Sequence, residues 1–312
     1  MLSQNKTPLV SIVIPTYNHA AYLSQAIDSV LNQKYKNIEL IVLDDGSTDG
    51  TAQVLNGYGN QFHWESQKNI GQSATLNKGW SMAQGEILAY LSADDLLYPD
   101  AVSRSVDSLL KQDNAVLSYC DFNMIDPESR IVRRVNAPEY SFIEMLTKFI
   151  CAPSAGAFFW RSAYLKTGGW NPDIHRFPDY DYWLRLGLQG SFLHLHESLA
   201  AYRVHEGSQT FSEPPVARTE EAIKVITNFY AIPNLPAQIL SLKSEAVANA
   251  HLLVAQLHLR AGRYLDASRE VYKAACFSPR SLFSVRTLRM LINGLFNRHI
   301  HKILWRIRGG KS

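Results

Sequence analysis

Pairs of adjacent carboxylates stand at two points of the chain, each shortly after a run of apolar residues. Asp44 and Asp45 follow "IELIVL", and Asp94 and Asp95 follow "ILAYLSA". Neighbouring carboxylates repel each other and are costly to desolvate, and an ordinary turn needs one aspartate at most. The pair Asp94-Asp95 therefore indicates a site for a positively charged partner, such as a divalent cation held by carboxylate oxygens, whereas we read Asp45 with the residues after it as a turn and helix cap that fix Asp44.

The apolar runs before these pairs belong to an alternating series of strand and helix patterns. Strands are expected at residues 9–14, 38–43, 62–66, 86–91 and 115–122, with amphipathic helices between them. This βαβα order predicts an α/β fold with a mostly parallel sheet and helices on both faces. In such sheets ligands bind beyond the carboxyl ends of the strands.

Three of the predicted strands end in polar or acidic residues at this edge. The first ends in Pro15-Thr16-Tyr17-Asn18, the second in Asp44-Asp45 and the fourth in Asp94-Asp95. Turn chemistry alone explains one such end, because Asp and Asn fill turns everywhere. Three ends on one rim favour a ligand site.

The later parts of the chain change in pattern. A capping box, Ser141 to Glu144, starts a helix, "AGAFFW" reads as a strand, and Pro178 opens a helix over 178–190. A strand over 199–210 leads to "SEPP" at 212–215, which predicts a boundary between a domain at 1–213 and a helical region at 214–312. A hairpin at 248–281 resembles one tetratricopeptide repeat, and we interpret the single copy as simple helical packing.

The composition of the 312 residues is that of a globular protein. The three cysteines are far apart, which argues against a disulfide framework or a zinc site and suits a reducing cytosol. No apolar run approaches the ~18 residues of a membrane span, and we read the apolar stretch near the start as a strand rather than a signal peptide.

The net charge of +3 hides an asymmetry along the chain. From Val271 to Ser312 there are nine basic residues and no acidic ones, so the first 270 residues carry a net charge of −6. The basic end predicts an anionic partner, and without a nucleic-acid motif we expect a membrane surface rather than nucleic acid. Residues 295–307 read as a basic amphipathic helix that either contacts the membrane or packs on the protein.

Two long segments resemble family 2 glycosyltransferases: "VSIVIPTYNHAAYLSQAIDSVLNQKYKNIELIVLDDGSTDGT" and "NIGQSATLNKGWSMAQGEILAYLSADD". The resemblance covers residues 8–212. It implies a GT-A fold and transfer of a sugar, with inversion, from a nucleotide diphosphate donor. It also implies a divalent cation, Mn²⁺ or Mg²⁺, that neutralises the departing diphosphate.

The resemblance assigns roles to particular residues. Asp95 would be the direct metal ligand together with His205, while Asp94 faces the ribose or the waters of the metal. Ser92 stands where the family usually has Asp, so coordination of the metal would depend more on Asp95. The expected nucleotide contacts, besides Asp94, are Pro15, Thr16, Tyr17, Asp44, Asn69, Gly71, Asn77 and Arg203. Arg203 would pair with a phosphate or with a carboxylate of the site.

The general base is expected in "FPDYDYWLRL", which resembles the acceptor-side helix of the family. Pro178 takes the place of the usual Glu, which leaves Asp179 and Asp181 to compete for the role of deprotonating the acceptor hydroxyl. Residues two apart do not face the same way on a helix, so at most one should point into the site. Trp170 either stacks on an acceptor sugar or packs in the core.

These features predict an enzyme that uses a UDP-sugar to extend a bacterial surface glycan. UDP is favoured because uracil offers a ring N–H to Asp44. The acceptor would be a glycan or a lipid-linked sugar, and the enzyme would lie in the cytoplasm, at the inner face of the plasma membrane. The alternatives are a polyprenyl-phosphate sugar transferase and a non-catalytic nucleotide-binding interaction protein.

Overall fold

The computed structural model of the protein describes residues 7–205 and 216–307, without the side chains of 216, 217 and 297–307. The chain forms two compact units. The first comprises Met1–Tyr140, Cys151–Asp173 and Pro178–Ser208, and the second comprises Ser141–Ile150, Ile174–Phe177 and Gln209–Ser312. The predicted boundary at 212–215 lies outside the described residues.

The strands of the described residues join one sheet in the first unit. In chain order they are β1 Val10–Thr16, β2 Ile38–Asp44, β3 His63–Ser66, β4 Ile87–Tyr90, β5 Leu96–Leu97, β6 Ala115–Ile125, β7 Ile131–Val135, β8 Phe158–Trp160 and β9 Ser191–Arg203. Their order across the sheet is β3-β2-β1-β4-β8-β6-β9-β5, and β7 pairs with β6.

The first half of the sheet is parallel, as predicted. β1 pairs in parallel with β2 and β4, and β2 pairs in parallel with β3. β1 is buried along its whole length because its residues are covered on both faces, as expected for a parallel strand. The covering helices include α1 Ala20–Leu31, α2 Thr51–Gly57, α3 Gln72–Met82 and α4 Ala101–Lys111. α3 approaches β1 so closely that a Cβ added at Gly79 would lie 2.3 Å from Cγ1 of Val13.

The second half of the sheet is mixed. β8 lies between β4 and β6 and runs antiparallel to both, whereas β6 and β9 are parallel. The α/β class with helices on both faces is therefore confirmed, and the parallel order extends through β4. Local periodicity could not show that β8, a strand formed later in the chain, would insert beside β4.

Strand β9 begins eight residues earlier than predicted, at Ser191, and ends at Arg203, within the segment 199–210 that was predicted as a strand leading into a polar loop. The segment "LHLHES" at 193–198 alternates leucine with histidine, which is itself a strand signal that the prediction overlooked. Three further helices belong to this part of the chain: α5 Phe142–Lys148, α6 Arg161–Thr167 and α7 Pro178–Gly187. The predicted cap of α5 is present, since the Ser141 hydroxyl accepts the Glu144 N–H.

The rest of the second unit is helical, as predicted. Its helices are α8 Val216–Thr219, α9 Glu221–Tyr230, α10 Ala237–Ser241, α11 Lys243–Arg260, α12 Tyr264–Phe277, α13 Pro279–Leu282 and α14 Val285–Ile307. α11 and α12 form the expected hairpin, and Ala248, Leu252 and Ala274 pack at its centre. Among the helices of the described residues, none combines the length and the apolar character needed to cross a membrane.

Candidate active site

Three side chains with metal-binding atoms meet at the carboxyl ends of β1, β4 and β9. They are His19, which directly precedes α1, Asp94, which follows β4, and His205, which follows β9. One ligand atom of each lies within 4.8 Å of the others, and Nε2 of His205 is 2.9 Å from Oδ2 of Asp94. This group, the front cluster, lies on the rim that the sequence predicted for a ligand.

The backbone fixes the orientation of one ring in the front cluster. Nδ1 of His19 lies 2.8 Å from the carbonyl oxygen of Tyr17, which can only accept, so Nδ1 carries the proton. Nε2 of His19 then presents its lone pair, an arrangement common for metal-bound histidine. Two imidazole nitrogens and a carboxylate oxygen favour a transition metal such as Mn²⁺ over Mg²⁺, which prefers oxygen ligands throughout, although these three donors alone would also accept Zn²⁺. The donor set therefore fits the expected divalent cation.

Asp95 is turned away from the front cluster. Its side chain is buried, and its Oδ1 accepts the backbone N–H of Arg203 at 2.9 Å. Burial first, and the neighbouring Asp94 charge second, raise the pKa of the Asp95 carboxyl well above its usual range. The sequence assigned the direct metal contact to Asp95, but the structure brings Asp94 to the two histidines.

The Arg203 side chain links several segments of the protein through hydrogen bonds. Its side chain is fully buried, and Nε donates to the Asp94 carbonyl at 2.8 Å. Nη1 donates to the carbonyls of Asp126 and Pro127, and Nη2 to the side chain of Gln25. Of the two expected partners of Arg203, a phosphate or a carboxylate of the site, the structure does not favour the phosphate, because the buried side-chain nitrogens already donate to protein acceptors. A site carboxylate is contacted through the backbone, since the Arg203 N–H donates to Asp95.

The end of β1 and the end of β2 form the next part of the rim. Pro15 and Thr16 are buried, whereas the Tyr17 ring is 45% exposed. Asp44 is buried, and its two oxygens accept the N–H of Ser47 at 3.0 Å and the hydroxyl of Ser66 at 2.8 Å. The carboxylate of Asp44 is thus held rigidly beside an exposed aromatic ring.

Asp45 fastens the loop that follows β3. Its Oδ1 accepts the N–H of Ile70 at 2.8 Å, and its Oδ2 accepts the N–H of Gly71 at 2.9 Å. Asn69 and Gly71 are exposed in this loop, and Gly71 has a φ of 88°, which favours glycine. The loop with the predicted Asn69 and Gly71 contacts is therefore positioned by a carboxylate that follows the preceding strand, β2.

The Asn77 side chain bonds to the backbone of the loop that contains Trp170. Its amide nitrogen donates to the Trp170 carbonyl at 2.7 Å, and its amide oxygen accepts the Trp170 N–H at 2.8 Å. Trp170 is itself buried, with its ring 5.0 Å from that of Tyr90 between centroids. Asn77 therefore anchors the backbone of this loop, and its contact with a nucleotide stays a prediction. Of the two alternatives for Trp170, its burial agrees with packing in the core.

The two candidate bases of α7 have different surroundings. Asp181 is buried, and its Oδ2 accepts from Nη2 of Arg185 at 2.7 Å and from Nε at 3.1 Å. Asp179 is half-buried, and its Oδ1 accepts the Tyr180 N–H. Desolvation raises the pKa of the Asp179 carboxyl, which lies near the side chains of Tyr90 and Cys151. The ion pair leaves Asp179 as the carboxylate suited to proton transfer.

Sequence reasoning missed the roles of two residues of the site. His19 had a usable signal, since it comes two residues after Tyr17, at the end of a strand already expected on the rim. Asp45 was placed on the rim, but its role in holding the loop at residues 70 and 71 was missed, because that contact spans about 25 residues and has no local pattern.

Comparisons with known proteins agree with the family resemblance found in the sequence. The family model described as "Glycosyl transferase family 2" matches residues 11–192. An uncharacterized glycosyltransferase of Rickettsia typhi is 34% identical over 218 residues, which are 67% of this chain and 68% of that protein. The hyaluronan synthase of Pasteurella multocida is 37% identical over 210 residues, which are 66% of this chain but only 21% of the synthase.

Two solved structures share the fold at low sequence identity. A structure of residues 1–349 of TarS from S. aureus in complex with UDP-GlcNAc has a TM-score of 0.57 at 16% identity, over 93% of this chain and 80% of that one. The mannosyltransferase PcManGT from Pyrobaculum calidifontis, in complex with GDP-Man and Mn²⁺, has a TM-score of 0.61 at 17% identity, over 96% and 84%.

Proposed function

This chain belongs to glycosyl transferase family 2 and has a GT-A-like fold, and we propose that it transfers a sugar with inversion from a UDP-sugar to a glycan or lipid-linked acceptor. The observation that carries this proposal is the front cluster on the same rim as Tyr17 and Asp44. A metal-binding group beside a base-binding group is what a nucleotide diphosphate donor requires, because its charge and its base must be held together.

Tyr17 and Asp44 are proposed to hold the uracil. The exposed ring of Tyr17 offers a face for stacking, and Asp44 offers a fixed carboxylate to the ring N–H of uracil. Asn69 and Gly71, in the loop held by Asp45, would then contact the same nucleotide. The TarS complex with UDP-GlcNAc supports a UDP donor on a related fold.

The front cluster is proposed to hold the cation, with Asp94 in the place first assigned to Asp95. His19, Asp94 and His205 would hold Mn²⁺, which supplies positive charge to the departing diphosphate when bound. Arg203 and Asp95 hold the backbone around the front cluster. The Arg203 guanidinium fixes the Asp94 carbonyl, and the Asp95 carboxyl fixes the end of β9, which leads to His205. The related mannosyltransferase complex contains Mn²⁺.

Asp179 is proposed as the general base. In an inverting transfer the acceptor hydroxyl attacks opposite the leaving group and must lose its proton to a carboxylate on the acceptor side. Asp179 has a raised pKa and lies near Tyr90, at the end of β4, which also leads to Asp94. Asp181 is bound to Arg185 of the same helix and orients this guanidinium, which also donates to the carbonyls of Thr167 and Gly169.

The biological role that we propose is synthesis of a bacterial cell-surface polysaccharide from the cytoplasmic side of the membrane. The similarity to hyaluronan synthase supports a polysaccharide product. The basic C-terminal end of the chain supports contact with an anionic membrane, where lipid-linked acceptors are found.

A direct test measures nucleotide release from a panel of UDP-, GDP- and dTDP-sugars with Mn²⁺, with and without oligosaccharide acceptors. We expect UDP release with Mn²⁺, none in EDTA, and a product whose anomeric configuration, read by NMR, is opposite to that of the donor. Turnover of GDP-sugars alone would overturn the UDP assignment, and a retained anomer would overturn inversion. Absence of turnover together with absence of a UDP-dependent thermal shift would favour the interaction protein.

A further inference from the structure

A second group of metal-binding side chains lies at the opposite end of β9. Among the described residues, Glu139, His194 and His196 bring one ligand atom each within 4.8 Å of one another. Oε1 of Glu139 lies 2.9 Å from Nδ1 of His194 and 3.5 Å from Nε2 of His196. One oxygen is thus approached by the nitrogens of two different rings, and we call this group the β9 cluster.

An irregularity in β9 brings the two histidines together. Residues 194 and 196 share a face of a regular strand, but their side chains would stand well apart along it. The pairing with β6 jumps from Leu195 opposite Cys120 to Ser198 opposite Asp121, so His196 and Glu197 have no partner in the register. Such bulges redirect side chains, and here the two imidazole centroids are 4.2 Å apart.

A buried carboxylate orients the inner histidine. Nε2 of His194 lies 2.7 Å from Oδ1 of Asp121, which also accepts the Ala137 N–H. The His194 ring is stacked on Tyr119 with an interplanar angle of 4°, and its side chain is only 4% exposed. A proton on Nε2 bonded to Asp121 leaves Nδ1 directed at Glu139, and this carboxylate–histidine arrangement is the usual support for a metal-bound histidine.

We propose that the β9 cluster is a zinc site. Two imidazole nitrogens and one carboxylate oxygen are a common ligand set of Zn²⁺ with three protein ligands and a fourth position left for water or another ligand. Hard cations such as Mg²⁺ prefer oxygen ligands and would not compete effectively. The scattered cysteines argued against zinc from the sequence, but this ligand set contains no cysteine.

The β9 cluster is separate from the front cluster. His196 and His205 are nine residues apart on one extended segment, which corresponds to about 30 Å at the usual rise of a strand. One ion cannot serve both groups, and the zinc proposal does not depend on the proposed transferase chemistry. Zinc there would link Glu139, which follows β7, to a strand 55 positions further along the chain.

The test measures zinc in full-length protein that carries Asp94→Asn, which weakens the front cluster. Protein stripped with EDTA is equilibrated with Zn²⁺ in excess Mg²⁺, and bound zinc is determined by metal analysis after dialysis. We expect His196→Ala and Glu139→Gln each to remove one equivalent of tightly bound zinc, or to weaken that binding by about 10-fold or more. Both side chains are largely exposed, at 69% and 73%, so neither change should prevent folding.

The matched control is Glu197→Gln, because Glu197 follows His196 directly but pairs with Arg104. It should keep the full equivalent of zinc. Co²⁺ should give the visible absorption of a four-coordinate site in the Asp94→Asn protein, and His196→Ala should abolish it. Zinc binding that is equal in His196→Ala, Glu139→Gln and the control, or the absence of tight zinc in all proteins, would overturn the proposal.

Discussion

The adjacent carboxylates Asp94 and Asp95 have different surroundings and should have different roles. Asp94 lies with two histidines, while Asp95 is buried against the backbone of Arg203. We expect Asp94→Asn to lower kcat about 10²–10³-fold, the usual loss when one stabilising group of a developing charge is removed. It should also raise the Mn²⁺ concentration needed for half-maximal activity, measured by titrating Mn²⁺ into the transferase assay.

Asp95→Asn is the matched control for Asp94→Asn. An amide oxygen can still accept the Arg203 N–H, so this variant should fold and keep the Mn²⁺ dependence of the parent protein. Asp95→Ala should instead destabilise the protein by about 1–3 kcal/mol, because it leaves a buried N–H without a partner. If Asp95→Asn loses the Mn²⁺ response and Asp94→Asn retains it, the metal contact returns to Asp95.

Substitutions of the two aspartates of α7 should have different effects: one on the turnover rate and the other on stability. Asp179→Asn should lower kcat about 10²–10⁴-fold with UDP binding retained, because a general base is lost. Asp181→Asn should leave turnover nearly intact and lower stability by about 1–3 kcal/mol, because it weakens a buried ion pair with Arg185. Single-turnover kinetics and thermal unfolding of both variants measure the two effects, and the reverse pattern would move the base to Asp181.

The dependence of activity on pH gives a second test of Asp179 as the general base. A base works only when it is ionised, so activity should fall as the pH falls through the pKa of Asp179. Burial raises that pKa above the usual ~3.9, so the loss should begin at a higher pH than for an exposed aspartate. The neighbouring Tyr90 and Cys151 also have raised pKa values and stay neutral at pH 7. The acid limb of kcat/KM should persist in Asp181→Asn; its absence from the parent profile would argue against Asp179.

At the scale of elements, the loop between β3 and α3 depends on a carboxylate at the end of β2. Asp45→Ala should free the N–H groups of Ile70 and Gly71, which speeds their hydrogen exchange and raises the KM for the donor. The cost in stability should be about 1–3 kcal/mol, which is a fall in Tm of several degrees. Asp49→Ala is the control, because Asp49 bonds to Ala20 and Thr51 instead. Equal effects of both variants on KM would contradict a specific role for Asp45.

The sequence predicted the elements whose signals are local. β1, β2 and α1 were found within a few residues, because buried apolar runs and amphipathic spacing determine them. The position of the rim followed from the order of those elements. The first part of β9 was missed although "LHLH" alternates as a strand does, because the alternation is short and is interrupted by the bulge at His196 and Glu197.

The roles of individual polar side chains were harder to predict than their place on the rim. Arg203 and Asn77 have the right types for phosphate and nucleotide contacts, yet both bond to backbone groups of other segments. Those partners are 77 and 93 positions away in the chain, so no spacing rule could reveal them. A polar residue at a strand end indicates a site, but its long-range hydrogen bonds decide whether it is available to a ligand.

For the molecule as a whole, the distribution of charge along the chain leads to a prediction about the membrane. Exposed apolar side chains occur on α14, Leu288 at 59% and Phe296 at 59%, with the exposed Arg286 and Arg289 on the same helix. The side chains of the expected stripe beyond residue 296 lie outside the described residues. Apolar and basic groups together favour anionic bilayers, because burial and charge attraction add.

We expect the full-length protein to sediment with vesicles that contain anionic lipid and not with neutral ones. Reversing Arg298, Lys302 and Arg306 to Glu should weaken this binding roughly 10²-fold or more, since each basic residue near such a surface contributes about 1 kcal/mol. Reversing the exposed Lys36, Lys111 and Lys166 changes the net charge equally and should have little effect. Removal of the chain from Asn293 onward should abolish sedimentation. If the two triple variants bind alike, the attraction comes from overall charge and the C-terminal helix has no special part in it.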